Sequence, residues 1–223
     1  MLQKEKMKEL IRVILIIGAI FAVTFLVVKS TGILTVEQIE GWLALAKEAS
    51  PLHVALIVAA LLFIDLFIAV PTLTVTMLAG YFLGNMFGAA AAISGLMIAG
   101  TSGYVLSRLF GEPVLQFLVK DDHKREDMKQ TFHKHGFVMI VLSRAVPILP
   151  EVTACLAGLT QMPFWRFVLA WSISAVPYSI IAAYSGSIST LSNPKPAIFT
   201  AIGIWGSLWL GWFLFRRFHK NQA

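Results

Sequence analysis

Arg144-Ala-Val-Pro147-Ile-Leu-Pro150-Glu151-Val-Thr-Ala-Cys155-Leu-Ala-Gly158 decides how this chain is to be read. A cation, two prolines and a carboxylate lie between apolar runs: Phe137-Val-Met-Ile-Val-Leu-Ser before them, and Phe164 to Tyr184 after. Each proline removes a backbone donor and disfavours helix at the residue before it. A straight lipid-facing helix is therefore excluded, because broken backbone at membrane depth must be satisfied by protein or a wet cavity. The expectation is a re-entrant helical hairpin breaking at Pro147 and Pro150, with Arg144 and Glu151 beside the break.

A second copy lies upstream. Asp65, Pro71 and the Gly80 of Leu78-Ala79-Gly80 follow in the order and nearly the spacing of Arg144, Pro150 and the Gly158 of Leu156-Ala157-Gly158, with one residue of slippage. Paired broken segments of this kind are how many secondary transporters build a site at the bilayer midplane. The expected fold is an all-α membrane protein. It is a polytopic helical bundle with two inverted re-entrant hairpins and about four full transmembrane helices.

Arg144-x-x-Pro147-x-x-Pro150 with the following Ala157-Gly158 resembles the second half of the VTT domain, found in the DedA superfamily and the SNARE-associated Golgi protein family. The glycine-rich helix after Gly80, ending in Tyr104, Arg108 and Gly111, is similar to that domain as well, and the resemblance covers roughly residues 50–190. DedA proteins often carry an acid after the first hairpin's proline. Here Pro71-Thr-Leu-Thr has none, which places the chain nearer the SNARE-associated branch. The resemblance implies lipid traffic: a flippase- or scramblase-like transporter of a phosphate-bearing lipid such as undecaprenyl phosphate or a phospholipid, with protons as a possible coupling partner.

Composition agrees with a lipid environment. Of 223 residues, 57% are hydrophobic and 13% charged, and the mean hydropathy is +0.78, outside the range of soluble domains. The net charge of +6 comes from bases that flank apolar spans, which fits membrane topology and not nucleic-acid binding. The single cysteine, Cys155, excludes an intramolecular disulfide framework.

Taken in order, residues 1–50 should form an anchor helix (apolar from Val13 to Val28) and a short amphipathic helix, with Thr35 and Gln38 as its capping box. Residues 51–190 form the domain with the two hairpins, and residues 191–223 the last span and a basic tail. Gly80, Gly84, Gly88 and Gly103, with Gly158, fall in small-residue rows that let helix backbones approach closely. His133 and His135 lack a third ligand, so no metal is expected; no cofactor is expected either.

With both termini cytoplasmic, in what the resemblance suggests is a bacterial inner membrane, full crossings over 13–28, 87–108, 167–184 and 197–215 keep Lys120, Lys124, Arg125, Lys129 and Lys134 inside. Making the first hairpin a full crossing would export those charges, against the positive-inside rule.

Asp65, Arg144 and Glu151 are the ionisable residues of the core segments. A central charge costs about 2.5–3.5 kcal/mol on insertion scales, so each must be paired or line a polar cavity. Two readings stay open: an Asp65–Arg144 pair locking the hairpins together, or a cavity in which Arg144 attracts an anionic headgroup while Asp65 or Glu151 exchanges protons. No nucleophile–base set, phosphate loop or dinucleotide fingerprint appears, so an enzyme is not expected. The alternatives to lipid transport are a proton-coupled transporter of small solutes or ions and a non-transporting membrane assembly protein.

Overall fold

In a computed structural model of the chain, residues 2–31, 35–67, 70–146 and 148–189 are described, with scattered positions from 195 to 213. Every described regular element is helical: α1 (Leu2–Thr31), α2 (Val36–Ala49), α3 (Pro51–Ile64), α4 (Thr72–Leu118), α5 (Asp122–Leu142), a 3-10 turn (Ser143–Ala145), α6 (Leu149–Leu159) and α7 (Phe164–Ile188). The span expected over 197–215 and the proline at 147 lie largely or wholly outside the described residues.

By length and composition, α4 and α7 suffice to cross a membrane, whereas the apolar stretches Leu10–Thr24, Pro51–Ile64 and Leu149–Leu159 are shorter. Their outer faces are apolar: Met86 is 84% exposed, Phe117 79%, Phe87 76% and Trp165 76%, a surface that lipid covers and water does not tolerate.

Local chemistry sets the boundaries. At the start of α2, Gln38 N donates to Thr35 Oγ1 and Thr35 N to Gln38 Oε1, both at 3.3 Å, which is the expected capping box. Ser50 caps α3 ahead of Pro51, and Asp121 caps α5 by accepting from His123 N at 2.9 Å. Pro71 and Pro150 open helices: Pro71 is the cap of α4, and Pro150 stands in the first turn of α6. A proline costs nothing there, because first-turn N–H groups have no helical partner. The interruptions themselves fall just upstream, at residues 65–71 and 143–148.

Gly84 has φ 78° and ψ 172° inside α4, a region reserved for glycine. The chain doubles back there. A Cβ on Gly88 would sit 2.6 Å from Ala79 O and 2.7 Å from Gly80 N, so the 72–83 arm folds against the start of the 85–118 arm. Gly84 is thus a turn with open space around it, whereas its neighbours in the row make backbone contacts. Downstream of α6, Gln161 (φ 58°) turns the chain into α7.

The two short arms pack reciprocally. A Cβ on Gly80 would strike the carbonyl of Ala183 on α7, and one on Gly158 the carbonyl of Tyr104 on α4. Ala183 stands as far along the chain from Tyr104 as Arg144 does from Asp65 and Pro150 from Pro71. Each short arm therefore lies on the long helix of the other copy, at matching positions. Gly103 faces Leu66, and Gly95 faces Ala59 of α3. At the core, Tyr104 stacks on Phe167 with ring centroids 4.7 Å apart.

Candidate functional site

The first interruption is closed by its own acid. Asp65, 4% exposed, follows α3, and its Oδ1 accepts from Val70 N at 2.6 Å while Oδ2 accepts from Thr72 Oγ1 at 2.8 Å. The carboxylate thereby bridges the break and satisfies donors at the mouth of α4, as a capping aspartate does. Thr76 Oγ1 donates to Thr72 O at 2.8 Å and continues the satisfaction into the first turns.

The second interruption is closed by backbone. Val146 N donates to Ser143 O at 3.1 Å, Leu149 N to Val146 O at 3.3 Å, and Ile148 takes a left-handed conformation with φ 72°. An isoleucine there is strained by about 1–3 kcal/mol, a strain that persists only where the surroundings impose it. Arg144 rides on the 3-10 turn, and Glu151 lies in the first turn of α6.

The two breaks meet. Asp65 at the first break and Glu151 just after the second face one cavity, and the turn that carries Arg144 leads directly into α6. Asp65, Glu151, Leu66, Gly100, Ala154 and Trp171 line a small cavity between α3, α4, α6 and α7.

Among the described residues no carboxylate forms an ion pair with Arg144, so the Asp65–Arg144 lock, one of the two readings left open above, is not made. Asp65 accepts instead from Val70 N and Thr72 Oγ1. The guanidinium instead lies by the rings of Trp171, 5.4 Å from the centroid, and Tyr178, 4.7 Å from it. Each such contact contributes about 0.5–2 kcal/mol and uses none of the N–H groups. The Arg144 Nε and Nη2 atoms are buried with no hydrogen-bond partner.

Trp171 is itself fixed. Its Nε1 donates to Leu96 O at 3.0 Å, and its ring fills the notch left by Gly100, where a Cβ would fall 2.6 Å from Nε1. Trp171, Tyr178 and Gly100 were not singled out from sequence. The seven-residue spacing of Trp171 and Tyr178, which puts them on one helix face, was the available signal.

Beyond this centre, Arg108 donates to Met162 O at 3.1 Å, Gln161 Nε2 to Arg108 O at 3.2 Å, and His133 Nε2 contacts Thr160 O at 3.0 Å. These bonds tie the 160–163 corner to α4 and α5, and they give His133 a structural partner.

Comparison with known proteins places this geometry. The family model described as the VTT domain matches residues 70–188, which include both short arms, Arg144, Glu151 and both ring contacts. A relative named undecaprenyl phosphate transporter A, from Bacillus subtilis (strain 168), is 27% identical over 104 residues, covering 41% of this chain and 52% of that protein. An uncharacterized membrane protein of Synechocystis sp. (strain ATCC 27184 / PCC 6803 / Kazusa) is 25% identical over 175 residues, covering 69% of this chain and 80% of that protein. No solved structure matches the chain.

Proposed function

This chain belongs to the VTT domain family, and from that premise we propose that it is a membrane transporter of a phosphate-bearing lipid. The carrying observation is the unpartnered edge of Arg144, buried between two interrupted helices. A guanidinium with free N–H groups in a low-dielectric setting is costly unless an anion visits it, and its planar fork suits phosphate. The name of the Bacillus relative, which aligns over 41% of this chain, supports a polyprenyl phosphate as the cargo. The printed names of the two relatives, a transporter and a membrane protein, are in keeping with transport.

In this reading the α3–α4 and α5–α6 segments are re-entrant hairpins entering from opposite faces, with Asp65 and Arg144 at their apposed tips. Both termini lie in the cytoplasm, and the membrane is the bacterial inner one. Single-cysteine labelling after replacing Cys155 tests this arrangement. Probes in the 112–136 segment should react from the same side as those at both termini. Reaction from the opposite face would remove the paired-hairpin topology.

The carboxyls of Asp65 and Glu151, which line one cavity, favour a second element, a proton carried with each cycle. They equally support the alternative of a proton-coupled transporter for a small solute or ion, because the cavity they line is small. Proteoliposomes with a labelled polyprenyl monophosphate and a labelled zwitterionic lipid decide between these. Wild type should move the monophosphate preferentially and respond to an imposed pH gradient. Glu151→Gln should still move it, with the gradient dependence much reduced. Movement of neither lipid, alongside solute-linked proton flux, would hand the site to the alternative.

A further inference from the structure

Ser174 has no assigned role, yet its Oγ is buried and without a hydrogen-bond partner. A hydroxyl inside a helix normally donates to a carbonyl one turn earlier, as Ser187 Oγ does to Tyr184 O at 2.7 Å and Ser189 Oγ to Ser185 O at 2.7 Å. Ser174 does not.

Its register explains where it points. Trp171, Ser174 and Tyr178 are spaced three and four residues apart on α7, so they share one face of the helix. Trp171 and Tyr178 are the two rings that hold the Arg144 guanidinium. Ser174 therefore sits between them, on the face that receives Arg144.

The orphaned atoms of Arg144 are equally specific. Nε and Nη2 carry the two parallel N–H bonds of one guanidinium edge, the edge that grips two oxygens of one anion. The rings occupy the guanidinium by its π contacts and leave that edge free. Among the described residues the buried side-chain polar atoms with no partner are these two of Arg144, Ser174 Oγ and Ser179 Oγ, and of the two serines Ser174 is the one whose register falls between the rings that hold Arg144. A buried polar group left unsatisfied is destabilising.

We propose that Arg144 Nε and Nη2 together with Ser174 Oγ form a three-donor site for a phosphate monoester, with Trp171 and Tyr178 as positioning residues that hold the guanidinium edge-on. This deepens the transport reading and rests on it for the lipid part. The shared chemistry, a tetrahedral oxyanion, could arrive as a lipid headgroup or as free phosphate.

The test is calorimetric titration of the full-length protein in detergent with a polyprenyl monophosphate, the corresponding polyprenol and inorganic phosphate. Wild type should prefer the monophosphate to the alcohol. Ser174→Ala should weaken the monophosphate about tenfold or more, as loss of a hydrogen bond to a charged group does, and leave the polyprenol unchanged. Ser174→Thr should restore most of the affinity. Ser172→Ala is the control, since Ser172 faces Met97 Sδ at 3.8 Å. A purely structural hydroxyl would show itself in thermal stability. Ser174→Ala should leave that unchanged or raise it, because the hydroxyl has no partner to lose.

If Ser174→Ala binds the monophosphate like the control, the three-donor site is overturned. If wild type binds inorganic phosphate as tightly as the lipid, and Ser174→Ala weakens both, the site stands and the lipid reading fails.

Discussion

Arg144→Lys inserts and folds like wild type and loses most transport of the phosphate-bearing lipid, about tenfold or more. An ammonium keeps the positive charge and can still sit against the Trp171 and Tyr178 rings. It cannot offer two parallel N–H bonds on a fixed edge, and that edge is the part of Arg144 left unpartnered. A charge that served only to hold the breaks together would accept the exchange. Arg166→Lys is the comparison, because Arg166 is exposed near the start of α7 and its loss should leave transport unchanged. The measurement is the initial rate in proteoliposomes, normalised to inserted protein. Wild-type rates from Arg144→Lys would show that a point charge is enough and would remove the anion-grip reading of this residue.

The largest effects on folding are expected at Gly80 and Gly186. A Cβ on Gly186 would collide with the carbonyl of Met77, and one on Gly80 with the carbonyl of Ala183. Backbone on the facing helix cannot swing away as a side chain can, so the helices must separate. Overpacking of this kind costs about 1–3 kcal/mol and often more where backbone is the obstacle. Gly186→Ala and Gly80→Ala should each lower the melting temperature in detergent and reduce the folded fraction. Gly84→Ala should also destabilise, for a different reason: it has room, but alanine resists a φ of 78°. Gly41→Ala, with nothing within 4 Å on α2, should be neutral or mildly stabilising, since alanine is the better helix former. Equal behaviour of all four variants would mean that the close crossing of the short arm with α7 is not made.

How much of this was legible differs by residue. The prolines and the lone charges in apolar sequence located both interruptions, because their costs are local and do not depend on the partner. Pro71 and Pro150 stand at the downstream edge of the interruptions, where the next helix begins. Gly84 was read as one of a packing row because Gly80 and Gly88 flank it at four-residue spacing. The Gly84-Asn85 pair carried a turn signal that the row concealed. The ring contacts around Arg144 were illegible. A tryptophan and a tyrosine in an apolar span look the same whether they face lipid or a cation, and only tertiary placement distinguishes them. Ser174 was hidden in the same way, as one small polar residue on a helix that tolerates many. Opposite charge left open whether Asp65 pairs with Arg144 or lines a cavity, because charge alone does not show that the aspartate is used locally as a cap.

The reciprocal seating of the short arms sets an order of events during synthesis. The arm holding Gly80 rests on Ala183 and Gly186 of α7, and that helix is made long after the arm has left the ribosome. At roughly 5–20 residues per second the delay is on the order of 5–20 s. Throughout it the arm can rest on the start of the 85–118 arm but not on α7, and Asp65 has only its own cap to hold it. The second arm waits for nothing, since Tyr104 and Arg108, against which Gly158 lies, are already in place. The two copies, matched in the finished molecule, are therefore unequal in biogenesis. Translation that stalls before α7 yields a chain whose first arm lacks the helix it crosses.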